Sequence, residues 1–170
     1  FEDVALNAMD DGSSPSVSIG FTVNMMGAVR SNLFVNNNGN VTFDAAMPTF
    51  GVTGSLSAVS QPIIAPFFSD IDTRAGSNVA RYGTELIDGH QAFGATWRDV
   101  RHYNAAAVGY NAADVNSFQM IIIDRTDTGP NNFDIELNYD RWCGTAVRWR
   151  VHRLPEPVCR IRPPSLRTFR

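Results

Sequence analysis

Between Phe133 and Asp140 the chain alternates without a break. Phe133, Ile135, Leu137 and Tyr139 fall on one side of an extended backbone, and Asp134, Glu136, Asn138 and Asp140 on the other. A period of two is the mark of a strand, because successive side chains leave opposite faces of the pleat. The apolar row is expected to face a core and the polar row to face outward. Just upstream, Ser117–Ile123 ends in a run that is apolar on both faces, as a central strand requires. The loop Asp124–Asn132, with Gly129 and Pro130, joins the two as antiparallel neighbours.

The same period recurs along the chain. Val17, Ile19, Phe21 and Val23 alternate within Ser16–Val23. Leu33–Val35 and Val41–Phe43 flank Asn36–Asn40, where Asn38-Gly39 supplies two residues that tolerate positive φ. Val79–Ile87 and Gln91–Val100 flank a second such pair, Asp88-Gly89. Pro62–Ser69 is an apolar run in which Pro66 demands an edge or a bulge. Helical signal is confined to Ala105–Ala107 and Ala112-Ala113, enough for one turn between Gly and Asn residues. Short strands separated by turn signals predict an all-β fold, an antiparallel β-sandwich with little or no helix.

A chain of 170 residues suits one domain. Charge divides it unequally. Residues 1–140 hold 16 acids against 6 arginines, a balance of −10, whereas residues 141–170 hold 8 arginines against Glu156, a balance of +7. The acidic body repels nucleic acid and anionic lipid. No lysine is present, which excludes a P-loop lysine and Schiff-base chemistry. Both cysteines, Cys143 and Cys159, lie in the basic tail, so the body folds without disulfides or thiolate metal sites. No apolar run reaches the roughly 18 residues of a membrane helix. Because Phe1 is not an initiator Met, the chain reads as a fragment or a processed product.

Several strings carry a family likeness. They are DDGSS (Asp10–Ser14), a strand ending in Phe21, LFVNNNGNVTF (Leu33–Phe43), PIIAPFFSDIDTR (Pro62–Arg74), ATW (Ala95–Trp97), SFQMIIIDR (Ser117–Arg125) and FDIELNYD (Phe133–Asp140). In this order and spacing they resemble a bacterial-type nidogen-like (NIDO) domain. The resemblance implies a secreted, extracellular module of a matrix-type or cell-surface protein, associated with cell–matrix adhesion. Its expected partner is a protein or glycan of the matrix or cell surface, and it brings no catalytic residues. The alternative reading is a carbohydrate-binding module, with or without a requirement for calcium.

The likeness lapses after Asp140. The family closes with an apolar residue, a Trp and a Gly-rich stretch; here Arg, Pro and the two cysteines take over. With one permitted codon choice for Arg141–Val151, skipping two bases reads Val-Val-Trp-Asp-Gly-Ser-Ala-Val-Ala-Gly, close to the family's ending. Residues 1–142 are therefore expected to be the β-domain, and 143–170 a poorly ordered or non-native tail.

Asp70 and Asp72 are the candidate metal ligands. Alternation across Ile71 can aim both carboxylates to one side, as calcium requires, and Asp10 and Asp11 could add oxygens. The full calcium loop is absent, and the same acids also serve as turn caps at strand ends. Asn36, Asn37, Asn38 and Asn40 admit a sugar-binding edge or, more simply, the dihedral needs of a tight hairpin. Asn40-Val41-Thr42 fits the glycosylation acceptor pattern. Trp97 is expected in the core with its N–H bonded locally. His90 in a turn, His102 in a loop and His152 in the tail read as solvated, since G-x-S-x-G, HExxH, GxGxxG and CxxC are all missing. No enzyme is expected.

Overall fold

A computed structural model describes residues 1–50, 56–74, 76–103, 114–142 and 160–161. The strands are β1 (Val4–Ala5), β2 (Val17–Met25), β3 (Ala28–Asn36), β4 (Asn40–Thr42), β5 (Ile63–Ile64), β6 (Ile71–Asp72), β7 (Arg81–Ile87), β8 (His90–His102), β9 (Asn116–Asp124), β10 (Phe133–Trp142) and β11 (Arg160–Ile161). They form two antiparallel sheets. One has seven strands in the order β1-β7-β8-β9-β10-β11, with β6 added onto the end of β8; the other runs β2-β3-β4-β5. The sheets pack as the expected β-sandwich. Among the described residues the helical content is one 3-10 turn at Leu56–Ala58. The helical turn expected near Ala105–Ala113 lies outside the described residues.

The core follows directly from the alternation. Ile19, Val23, Leu33, Val35 and Val41 point from the smaller sheet onto Phe93, Ala95, Trp97, Phe118, Met120 and Ile122 of the larger. Trp97 and Phe118 are cross-strand partners and stack with their planes 13° apart. The opposite face of β8 and β9 is covered separately. There Phe1 packs with Ala92 and Ile121, its ring occupying the space that a side chain on Gly94 would need. This second cluster explains why Ser117–Ile123 is apolar on both faces.

The β7–β8 hairpin is as expected: Asp88 and Gly89 adopt φ of 49° and 87°, a tight turn that twists with its strands. The β3–β4 hairpin differs. Asn36 pairs with Asn40, so the loop has three residues, and of these Gly39 alone has positive φ (76°). A third turn escaped the sequence reading: Met26 and Gly27, at φ 54° and 86°, connect β2 to β3. The Pro62–Ser69 run supplies β5 at the edge of the smaller sheet, which accommodates the proline beyond it.

One expectation is corrected. Tyr139, Leu137 and Ile135 pair with Phe118, Met120 and Ile122, so the predicted register is right and the row does share the core side of its sheet. It is nevertheless half-exposed: Ile135 45%, Leu137 40% and Tyr139 46%. The smaller sheet lies over β8 and β9 and leaves most of β10 uncovered. Phe133 alone of the four packs against the core. On the opposite face Asp134 is exposed, but Glu136 and Asn138 are half-buried.

Of the tail beyond residue 142, Arg160 and Ile161 are described. They pair with Trp142 and Arg141 at the end of β10. The rest of the expected 143–170 segment, His152 included, lies outside the described residues.

Candidate functional site

The β3–β4 loop is the structural hub of one end of the sandwich. Asn36, Asn37, Asn38 and Asn40 are all buried. Asn36 Nδ2 donates to Asn40 Oδ1 (2.7 Å) and Thr42 Oγ1 (3.0 Å), while its Oδ1 accepts from Ser13 Oγ (2.6 Å) and the Met47 N–H (3.0 Å). Asn37 Nδ2 donates to the carbonyls of Met9, Asp10 and Ile71. Asn38 Oδ1 accepts from the Ile71 N–H at 2.8 Å, and its Nδ2 donates to Asp11 Oδ1 and the Thr49 carbonyl. A buried amide calls for partners: those of Asn37 and Asn38 hold backbone of Met9, Asp10, Thr49 and Ile71, Asn36 bonds mainly side chains, and Asn40 Nδ2 is buried with no partner among the described residues. They therefore present no sugar-binding edge, and the hairpin's dihedral needs account for only part of their presence. The hub fixes the Asp10–Ser14 segment and β6 against the loop. Four amides within five residues, with DDGSS upstream, was the signal available.

Trp97 is fully buried as expected, but its partner is distant rather than local. Its indole N–H donates to the Asn37 carbonyl.

The hub brings the candidate ligands together. Ile71 points into the core, so Asp70 and Asp72 both turn away from it. Burial, then the charges of Asp10, Asp11 and Asp72, raise the Asp70 carboxyl to about 6. Asp72 is held differently. Arg74 grips both its oxygens, Nε to Oδ1 and Nη2 to Oδ2, each at 2.8 Å, and this lowers the Asp72 pKa. The same Nη2 reaches Asp10 Oδ2 at 3.0 Å. Asp10 Oδ1 is buried with no bonding partner among the described residues, and burial raises this carboxyl. Arg74 is thus the cation bonded to this acidic group among the described residues, and the charge of Arg101, the cross-strand partner of Asp72, also lowers the Asp72 pKa. Among the described residues no set of three or more His, Cys, Asp or Glu side chains has metal-binding geometry. Asp70 and Asp72 share an electrostatic neighbourhood, with Asp72 committed to Arg74.

His102 is corrected from a solvated loop residue to the half-buried end of β8. Its Nδ1 lies 3.1 Å from Ser69 Oγ, and Phe67 meets its ring edge-on. Ser69 is itself buried, so the pair ties the Phe67 loop to β8 rather than offering an open hydroxyl. His90 opens β8 with Nδ1 3.9 Å from Asp127.

A last surface is the uncovered row of β10. Ile135, Leu137 and Tyr139 continue the core into solvent, and Tyr139 Oη donates to the Pro66 carbonyl at 2.8 Å.

Comparison with known proteins gives two findings. A family model described as "NIDO related" matches residues 2–148. Alpha-tectorin of Mus musculus is 24% identical over 141 residues, covering 71% of this chain, and alpha-tectorin of Homo sapiens is 23% identical over a stretch of the same length. The match spans 6% of the length of either relative. No solved structure gives a significant match.

Proposed function

Because the chain belongs to the NIDO-related family, we propose that it is a non-catalytic, extracellular interaction module of a matrix-type or cell-surface protein, with adhesion as its role. Family membership supports the matrix-type, extracellular reading. The observation that carries the interaction role is the half-exposed row Ile135, Leu137 and Tyr139. A contiguous apolar surface on a folded domain costs solubility unless it is covered in use, and such patches mark binding sites. The sugar-binding alternative loses its main sequence support, since the asparagines are spent inside the fold.

The test is adhesion of beads coated with the full chain to decellularised matrix. The expected result is retention that falls when Leu137 is replaced by Glu, with the melting temperature held within a few degrees. Retention that depends on glycosidase-sensitive rather than protease-sensitive material would favour the carbohydrate reading. Retention no greater than that of an unrelated β-sandwich would overturn the proposal.

A further inference from the structure

We propose that Asn38 is a covalent modification site that the fold holds closed. Its side-chain amide is converted to a carboxylate only when the β3–β4 loop opens, and the product then disfavours reassembly of the loop. Asn38 is in this sense a one-way marker of unfolding.

The sequence supplies the reactivity. Asn38-Gly39 is the chain's one asparagine followed by glycine. Gly39 has no side chain to shield its nitrogen, and its backbone is free to adopt the dihedrals that attack requires. In an open chain that nitrogen attacks Cγ of Asn38. A bond forms between Gly39 N and Asn38 Cγ, the Gly39 proton passes to hydroxide, and the bond from Cγ to Nδ2 breaks to release ammonia. Water then opens the five-membered imide at one of its two carbonyls, leaving aspartate or isoaspartate at position 38. Water and hydroxide are the co-reactants. The neighbouring Asn36, Asn37 and Asn40 precede Asn, Asn and Val, whose side chains crowd the same attack.

The folded hub blocks each requirement. Asn38 is 1% exposed, and its amide is anchored through both atoms. Oδ1 accepts from the Ile71 N–H at 2.8 Å, while Nδ2 donates to Asp11 Oδ1 at 2.8 Å and to the Thr49 carbonyl at 3.1 Å. The backbone is pinned on either side of the reacting bond. The Ser69 N–H donates to the Asn38 carbonyl and the Phe67 N–H to the Gly39 carbonyl, each at 3.3 Å. Swinging Cγ onto Gly39 N therefore waits for a local opening that detaches the loop from β6 and from Asp11.

The same contacts make the product a poor fit. An aspartate has no donor for the Thr49 carbonyl, and it sets a second carboxylate against Asp11 Oδ1. An isoaspartate adds a carbon to the main chain of a three-residue loop, where Gly39 already lies so close to Phe67 that a Cβ there would meet its carbonyl oxygen.

The experiment incubates the full chain at mildly alkaline pH, native and in guanidinium chloride, and maps the Ser31–Arg74 tryptic peptide and the other asparagine-containing peptides by fragmentation mass spectrometry. Expected in denaturant is conversion at Asn38 ahead of every other asparagine. In the native chain the rate at Asn38 should be lower by at least about tenfold, because it is scaled by the population of the open loop. Equal rates in the two states would overturn the protection, and earlier conversion of another asparagine in the unfolded chain would overturn the site. Asn38→Asp tests the product without the reaction. Its melting temperature should fall at least about 6 °C below the parent's, while Asn32→Asp on the exposed part of β3 stays within about 2 °C. A fall at Asn38→Asp no larger than that at Asn32→Asp would overturn the one-way step.

Discussion

The indole N–H of Trp97 donates to the carbonyl oxygen of Asn37 at 3.0 Å, joining the middle of the larger sheet to the hairpin loop of the smaller one. The two residues are 60 apart in sequence. Trp97→Phe should keep most of the stacking with Phe118 while leaving a buried carbonyl short of a donor. The expected cost is about 1–3 kcal/mol. Trp97→Ala adds a cavity and should cost about 3–5 kcal/mol. Urea unfolding of both variants checks the ranking; equal losses would mean that the hydrogen bond contributes nothing measurable.

Asn37 offers a sharper test of the hub. Asn37→Asp is nearly isosteric, yet it removes the donor shared among the Met9, Asp10 and Ile71 carbonyls and buries a negative charge beside other acids. A loss of more than about 3 kcal/mol is expected, because an unpaired buried charge is among the most costly defects. Asn32→Asp, on the exposed part of β3, should stay within about 0.5 kcal/mol. Chemical denaturation of the two variants side by side decides whether the asparagines crosslink the fold or merely shape a turn.

These two residues also mark how far the sequence could be read. The strands were legible because alternation is local: every residue of Phe133–Tyr139 states its own face. What covers each face is not local. Ile135 and Ile122 are cross-strand neighbours on one side of one sheet, yet Ile122 is fully buried and Ile135 is not, since the smaller sheet ends between them. The asparagines misled for a related reason. Asn serves both φ > 0 and backbone crosslinking, and only the presence of Met9–Asp11 and Ile71 opposite the loop decides between them. Asp70 and Asp72 were legible as neighbours, but Arg74 as the residue gripping Asp72 required the bend after β6.

The neighbours Ile122 and Ile135 turn this into numbers. Ile122→Ala should cost about 2–5 kcal/mol, as for any fully buried aliphatic side chain. Ile135→Ala should cost about 1 kcal/mol, since roughly half of its surface is already in water. Similar losses at both positions would show that β10 is covered in solution.

Glycine positions separate space from backbone strain. A Cβ on Gly39, at φ 76°, would lie 1.9 Å from the Phe67 carbonyl oxygen, whereas one on Gly89, at φ 87°, meets nothing within 4 Å. Gly89→Ala should cost only the left-handed penalty of about 1–2 kcal/mol. Gly39→Ala must also displace the Phe67 backbone, whose N–H bonds the Gly39 carbonyl, and should cost clearly more. Thermal melts of the two variants measure the difference directly.

Asp70 gives the pH dependence its sign. Its carboxyl is raised from 3.8 to about 6 in the fold, by burial first and then by Asp10, Asp11 and Asp72. The folded state therefore binds this proton more readily than the unfolded chain does. Stability from this group is full below about pH 4 and is lost as pH rises towards 6. Asp72 acts in the opposite sense: Arg74 lowers its pKa, so its contribution is present above 3.8 and fades as pH falls. Asp70→Asn removes the first effect and leaves the second. The variant should be more stable than the parent at neutral pH, and the parent's decline between pH 4 and 6 should flatten. The same pair of proteins tests the calcium proposal. If calcium binds at Asp70 and Asp72, millimolar calcium must raise the melting temperature of the parent at neutral pH, because a ligand of the native state alone stabilises it. The rise should vanish with chelator, at pH values where Asp70 is protonated, and in Asp70→Asn. Identical melts of the parent with calcium and with chelator would remove the site and leave Arg74 as the cation that this acidic group is built around.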